Sequence, residues 1–485
     1  MRALKPALVA ALAFGLAACT VGPDYVRPEA EAPAAYKEAE GWKKAAPNDQ
    51  LPKGEWWRMF GDARLDELAA QVGVSNQTVK SFEARVREAR ALTAQARAGF
   101  FPTVNGSASA TRSSSAASSR SASASAGAGV PGGPSNFYNL ALDASWEPDL
   151  WGRVRRNVEA NEAGTQASVA DLENAKLSAQ ADLATDYLLL RVQDAQIDLL
   201  ENTAAAYEKS LTLTRNQYAA GVVSRGDVVQ AETQYKSTQA QVLDARIQRQ
   251  QLEHAIAILI GKPPAEMSIA PQRVTDVFPD IPLGVPSELL ERRPDVAAAE
   301  RRVAAANAEI GVAQAAFFPS LTLSASGGFA ASSFANWLTL PARYWALGPA
   351  LVAQTIFDAG LRSAQKAQAV AVYDQTVADY RETVLGGFRE VEDNLVALRV
   401  LQEEAAVQDD AVRAAREAVT IANNQYRAGT INYLAVVVLQ ASLLNNERTA
   451  LAIRGRRLAA SVALIKALGG GWEAMALARL AHSPA

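Results

Sequence analysis

Two hydrophobic periods alternate along this chain. Between Asp149 and Lys262 there is no proline, and between Thr165 and Ala220 no glycine, while alanine, leucine, glutamine and charged residues dominate. Within that stretch Leu172, Ala175, Ala179, Leu183, Leu190, Ile197 and Leu200 recur at intervals of three to seven, the seam of a helix packed against other helices, with alanines allowing close approach. The pattern predicts a single helix over 153–218, about 100 Å long at ~1.5 Å per residue. The same texture returns from Gly360 to Tyr426 and from Tyr433 to Leu468.

Between the helical stretches the period falls to two. In residues 138–146 one parity reads Tyr138, Leu140, Leu142, Ala144, Trp146 and the other Asn139, Ala141, Asp143, Ser145, a strand with one apolar and one wet face. Its apolar face begins and ends in an aromatic ring, as a lipid-facing strand does at the two membrane interfaces. Leu321, Leu323 and Ala325 alternate with Thr322, Ser324 and Ser326, with 344–357 as the expected partner strand, and Val104, Gly106, Ala108 and Ala110 alternate more weakly with polar residues. The joining loops differ: "SSSAASSRSASASAGAGVPGGP" in one hairpin, "ASSFANWLTLP" in the other. Ten serines between Ser107 and Ser125 read as a solvated loop. Four strands leave two open edges, and in lipid each unpaired backbone group costs several kcal/mol. Because the smallest common membrane barrels have about eight strands, several copies must close one barrel together, and three copies would give twelve.

The two periods are organised as a repeat. Phe100-Phe101-Pro102 is echoed by Phe317-Phe318-Pro319, "NQYAAG" at 216–221 by "NQYRAG" at 424–429, and Trp151-Gly152-Arg153 more loosely by Ala359-Gly360-Leu361. Each half follows one plan: helix, Phe-Phe-Pro, small-residue hairpin, long helix, Tyr-x-x-Gly turn, helix. The organisation expected is a signal peptide at 1–18 and an amino-terminal segment at 19–60. A first repeat at 61–275 (hairpin about 100–148), a second at 276–470 (hairpin about 317–357) and a tail at 471–485 complete it.

The amino terminus adds an address. Arg2 and Lys5 precede an apolar run from Ala7 to Ala18, too short to cross a bilayer but suited to a signal peptide. The run ends in Leu16-Ala17-Ala18-Cys19, which resembles a bacterial lipobox. That resemblance implies that Cys19, the one cysteine of the chain, is acylated and becomes the mature amino terminus, and that Thr20 directs it to the outer membrane. Removing Arg2 and Lys5 takes the formal net charge from -3 to -5, with no basic patch for nucleic acid. His254 and His482 lie far apart, and with Cys19 committed no zinc, disulfide or thiol chemistry is expected. No Gly-x-x-x-x-Gly-Lys phosphate loop occurs either. The reading is of a protein that is not an enzyme and has no cofactor beyond the covalent lipid.

Four landmarks then resemble one family: "CTVGPDYVRP" from Cys19, "WWRMFGDARLDELAAQVGVSNQTV" from Trp56, "PSELLERRPDVAAAERRVAAANAEIGVAQAAFFPSLTLSAS" from Pro286, and the repeat itself. Together they are similar to the outer-membrane efflux factors, the TolC-like channels, in their NodT-type lipoprotein branch. The resemblance implies a mixed α and β membrane protein. Its fold would be a trimeric tube with a 12-stranded outer-membrane β-barrel, four strands per protomer, continued by a long periplasmic α-helical barrel. It implies passive export of drugs or other small molecules, and as partners a homotrimer, a periplasmic adaptor and an inner-membrane pump of the resistance-nodulation-division type. The Arg292-Arg293-Pro294-Asp295 run has a structural reading: Pro294 suits a first helical turn, Asp295 favours the positive end of the helix dipole, and the arginines pair with acids.

The same resemblance assigns the two helix-turn-helix tips to the closed periplasmic entrance and the adaptor contact. The residues concerned are Tyr218, Gly221, Val222, Ser224 and Asp227 in the first half, and Tyr426, Gly429, Thr430, Asn432 and Val438 in the second. Related channels carry aspartates just beyond the second-half glycine, where this chain has Ala435 and Val438. The constriction is therefore either acidic through Asp227 or hydrophobic, gating by dewetting. Two alternatives stay open on the residues alone: a channel for protein (type I) secretion, and a periplasmic coiled-coil lipoprotein scaffold without a pore.

Overall fold

The computed structural model describes residues 20–38, 55–114, 134–274, 277–279, 281 and 292–470. Cys19, the signal segment, most of the serine-rich loop and the tail 471–485 lie outside the described residues. Among the described residues seven α-helices and four strands follow in the order α1 (Ala63–Ser75), α2 (Gln77–Ala98), β1 (Thr103–Ser113), β2 (Ser135–Trp146), α3 (Arg153–Ala219), α4 (Arg225–Leu259), α5 (Pro294–Ala315), β3 (Ser320–Ala331), β4 (Arg343–Ala353), α6 (Leu361–Arg427) and α7 (Tyr433–Ala467). The halves match element for element: α2 and α5 each have 22 residues, α3 and α6 each 67, α4 and α7 each 35. The left-handed glycines that flank these helices, Gly152 and Gly360 before α3 and α6, Gly221 and Gly429 after them, and Gly261 and Gly469 after α4 and α7, recur at one spacing. Among the described residues no helix is long and apolar enough to cross a membrane.

The chain packs as two compact units, each drawn from both halves. The first comprises the described parts of Met1–Arg27, Glu88–Thr165 and Arg302–Val377 and holds the sheet, whose strands run antiparallel in the order β1-β2-β3-β4. Directly paired residues share a face. Leu140 stands between Ala108 and Phe329, Leu142 between Gly106 and Gly327, and Ala144 between Val104 and Ala325. The predicted apolar stripe is therefore one continuous apolar face. A bulge keeps it in phase: β3 steps from Leu323 to Ala325 while β4 steps from Ala350 to Leu347. The extra residue lies at Gly348-Pro349, where proline's missing amide is tolerated, and it turns Leu347 and Trp345 onto the apolar side. Tyr138 and Trp146 bracket that face about 27 Å apart along the strand. Tyr138 clusters with Phe334 and Trp337 at one end, and Trp151 stacks on Phe318, 4.9 Å between centroids, near the other.

Three expectations are corrected here. β1 extends to Ser113, so the first serines belong to a strand whose small side chains alternate, not to the loop. β2 starts at Ser135, ahead of the alternating core. β4 is Arg343–Ala353 rather than 344–357, because Gln354 turns its amide to the Phe317 carbonyl, 3.0 Å away, and leaves the ladder.

In the same unit the residues after Cys19 form a strap. The Val21 amide donates to the Trp151 carbonyl at 3.1 Å. Gly22 lies so close to Gly311 that a Cβ on it would come within 2.5 Å of the Gly311 Cα. The buried Arg156 binds the Gly22 carbonyl at 3.3 Å and the Asp24 carboxylate at 2.8 Å.

The second unit comprises the described parts of Pro28–Arg87, Gln166–Arg301 and Ala378–Ala485. Its helices are fastened by a buried polar chain. Asp194 on α3 accepts from Arg249 Nε of α4 at 2.7 Å, from Arg191 at 3.0 Å and from the Gln272 amide at 3.1 Å. Arg249 also reaches Glu253 and the Ile269 carbonyl, and Glu253 accepts from the Ile269 amide. Arg191 continues through the Tyr187 hydroxyl to Asp62, the N-cap of α1. Arg293 meets Asp295 and Glu390 at 2.7 Å and caps α7 through the Ala467 carbonyl. Its structural reading is borne out, as is Pro294 as the first residue of α5. Every charge in the Asp194 chain has a hydrogen-bonding partner, so removing one leaves the others buried and uncompensated. Asp194→Ala should cost about 3–5 kcal/mol, read as a lowered denaturation midpoint of the helical circular dichroism signal; an unchanged midpoint would show that the chain is dispensable.

Candidate functional site

The second unit ends in two helical hairpins of related construction. At α3–α4 the helix stops on Gly221 with φ 81°, and at α6–α7 on Gly429 with φ 74°. In each, the glycine amide bonds three residues back and the next amide five residues back: Gly221 to the Tyr218 carbonyl and Val222 to Gln217, Gly429 to Tyr426 and Thr430 to Gln425. This left-handed stop satisfies two carbonyls that the helix end would leave open. A side chain at either glycine would have space but an unfavourable backbone.

The returning helices begin differently. Ser224 and Asp227 form a reciprocal capping box: the Asp227 amide donates to Ser224 Oγ at 3.3 Å, and Ser224 donates its amide and its hydroxyl to Asp227 at 3.0 and 2.7 Å. Asn432 caps α7 alone, accepting from the Ala435 amide at 3.1 Å. Ser224, Asp227 and Asn432 are thus helix-start residues, and the Asp227 carboxylate is committed to its own turn.

The two hairpins meet through aromatic and hydroxyl groups. The Tyr426 and Tyr433 rings lie 5.5 Å apart. Tyr426 donates to Gln217 Oε1 at 2.8 Å, and the Tyr433 hydroxyl lies 3.0 Å from Ser210 Oγ. Beneath them Leu211, Ala231, Tyr433 and Val437 form a small buried cluster flanked by Val228 and Tyr235. Tyr218, the repeat mate of Tyr426, is exposed instead, as are Val222, Gly221, Gly429, Thr430 and Asn432. Val438 is 58% exposed and shares a helical face with Leu434, 52% exposed, while Val436 and Val437 are buried. Of the residues read from the sequence, Tyr426 is therefore drawn into the contact between hairpins, and Val438 sits on an exposed apolar stripe with Leu434. Tyr433, Gln217 and Ser210 were missed; an aromatic at the first position of α7 was their only signal.

Burial pushes the Tyr433 phenol up, and burial first, then the Asp227 carboxylate, does the same to Tyr426. A phenol raised in the fold stabilises it fully below the ordinary tyrosine value of 10.0, and that contribution is lost as pH rises through the raised value. Ultraviolet titration of phenolate absorbance should show late-titrating tyrosines, with one fewer in Tyr426→Phe, and that variant should lose about 1 kcal/mol of contact between hairpins. An unaltered late component would remove Tyr426 from the contact.

A model of the family described as outer membrane efflux protein matches this chain over residues 68–262 and 285–470. The chain is 33% identical over 475 residues to the toluene efflux pump outer membrane protein TtgF of Pseudomonas putida, covering 96% of each. It is 32% identical over 437 residues to the pyoverdine export outer membrane protein OpmQ of Pseudomonas putida, covering 90% of this chain and 92% of the relative. Its fold superposes on the outer-membrane channel OprN with a TM-score of 0.85 at 31% identity, over 94% of this chain and 100% of that one.

Proposed function

The chain belongs to the outer membrane efflux protein family, and from that premise we propose that it is the outer-membrane channel of a tripartite efflux pump, exporting drugs or other small molecules passively. The observation that carries the reading is the four-stranded sheet with one apolar face, an opposite polar face and, among the described residues, an open edge on β1 and on β4. A protomer alone cannot satisfy those edges in lipid. Three copies joined β1 to β4 give a 12-stranded barrel with the apolar face outward and the serine and asparagine face lining water. The fold shared with OprN, itself described as an outer-membrane channel, supports that assembly.

Partners follow from the same premise: a periplasmic adaptor at the exposed hairpin turns and an inner-membrane pump of the resistance-nodulation-division type. The names of the relatives, one for toluene and one for pyoverdine, support small-molecule cargo over secreted protein. Cys19 lies outside the described residues. Its proposed acylation is supported by the lipobox and by the strap that docks the residues after it beside Trp151; the mass of the purified chain reports it.

The gate is proposed at the hairpin turns. Because Asp227 is tied into its capping box, the exposed Leu434 and Val438 are better suited to form the constriction, a hydrophobic ring that closes by dewetting. In planar bilayers the purified protein should give discrete conductance steps, and Val438→Asp should raise the closed-state conductance several-fold and favour cations. Unchanged conductance would place the constriction elsewhere, and absence of any steps would remove the channel reading.

A further inference from the structure

Within the second unit, α3, α6 and α7 enclose a cleft of about 510 Å³ that the channel reading does not use. That volume falls in the ~300–1,000 Å³ range of small-molecule sites. Its walls combine apolar side chains, Leu199, Val412 and Leu451, with charged ones of both signs.

The charged groups are unevenly committed. Arg416 is taken up by Glu447 at 2.5 Å, and Arg454 has partners of its own. Arg457 is different: its guanidinium lies 4.0 Å from the Phe278 ring centroid, is half-buried, and makes no side-chain hydrogen bond or ion pair among the described residues. Burial and the neighbouring charge of Arg454 both work against its protonated form, while Asp409 favours it. A guanidinium stacked on a ring keeps its N–H edges free in its own plane, a geometry that matches a carboxylate. Asp198 and Asp409, which also line the cleft, are exposed and make no side-chain hydrogen bond or ion pair among the described residues.

Three arginines and three acids line the cleft, so a plain anion held by Arg457 shares the cleft with the carboxylates of Asp198 and Asp409, and a plain cation held by those carboxylates gains nothing from Arg457. A molecule carrying both charges satisfies both ends. We propose that this cleft binds a small zwitterion with an apolar body, its carboxylate on Arg457, its ammonium toward Asp198 and Asp409, and its body against Phe278 and Leu199.

Saturation-transfer NMR on the full chain in detergent tests this with L-tryptophan as the zwitterion, tryptamine as the cation and indolepropionate as the anion. L-tryptophan is expected to bind, with detergent micelles alone giving no signal, and each single-charge probe should bind about tenfold more weakly. Arg457→Met and Asp409→Asn should each weaken L-tryptophan about tenfold with the helical circular dichroism unchanged. Should Arg457→Met lose helicity, Asp198→Asn together with Asp409→Asn carries the test at the exposed carboxylates. No binding of L-tryptophan, equal binding of the three probes, or undiminished binding in the variants would overturn the proposal.

Discussion

Backbone hydrogen bonding where there is no water is the constraint on which the rest of this structure depends. Among the described residues β1 and β4 are each paired on one side only, and an edge left open in hydrocarbon costs several kcal/mol per group. In the proposed assembly that cost is met by more than one chain. It also explains why the sheet can be short and its small residues numerous: Gly106, Ala108, Ala110 and Gly327 contribute little core of their own, and their stability has to come from ladder bonds and lipid contact rather than from burial inside one protomer.

The helical unit obeys a different economy. Alanine-rich seams give weak apolar contacts, as the small buried clusters around Leu200 and Leu211 show, and specific polar links fix positions between them. The chain from Asp62 through Tyr187, Arg191, Asp194 and Arg249 to Glu253 ties α1, α3, α4 and the connection after α4 at one level. Toward the hairpin turns the links among the described residues are more exposed: the hydroxyl bonds Tyr426–Gln217 and Tyr433–Ser210 and the Arg215–Glu232 ion pair, over the small Leu211 cluster. Such links open at lower free energy than a buried polar chain, which suits the gate proposed at these turns.

Much of this was legible in the residues. Long proline-free stretches gave the helices, and the equal lengths of α3 and α6 confirm the repeat. Period two in residues 138–146 found β2 because its parity is clean, whereas β1 was obscured by serines that a strand and a loop accept equally. The β4 end was misread because Ile356 and Phe357 continue the apolar pattern beyond the ladder, and periodicity cannot register the bulge at Gly348-Pro349 that resets it. The turns were found through their glycines and caps. The inter-hairpin contact was not, since a repeat predicts equivalence and the structure breaks it: Tyr426 is drawn inward and Tyr218 faces out. The Arg457 cleft was invisible as well, because its walls come from helices separated by some two hundred residues.

The central claim is that copies of this chain close one another's sheet edges, and disulfide scanning across those edges tests it most directly. Ser107→Cys on β1 is combined in turn with single cysteines along Tyr344 to Val352 on β4, in a Cys19→Ser background, and oxidised in the outer membrane. The account predicts that one narrow set of β4 positions yields a covalent ladder ending at three chains. Crosslinks confined within single chains, or none at any position, would contradict it.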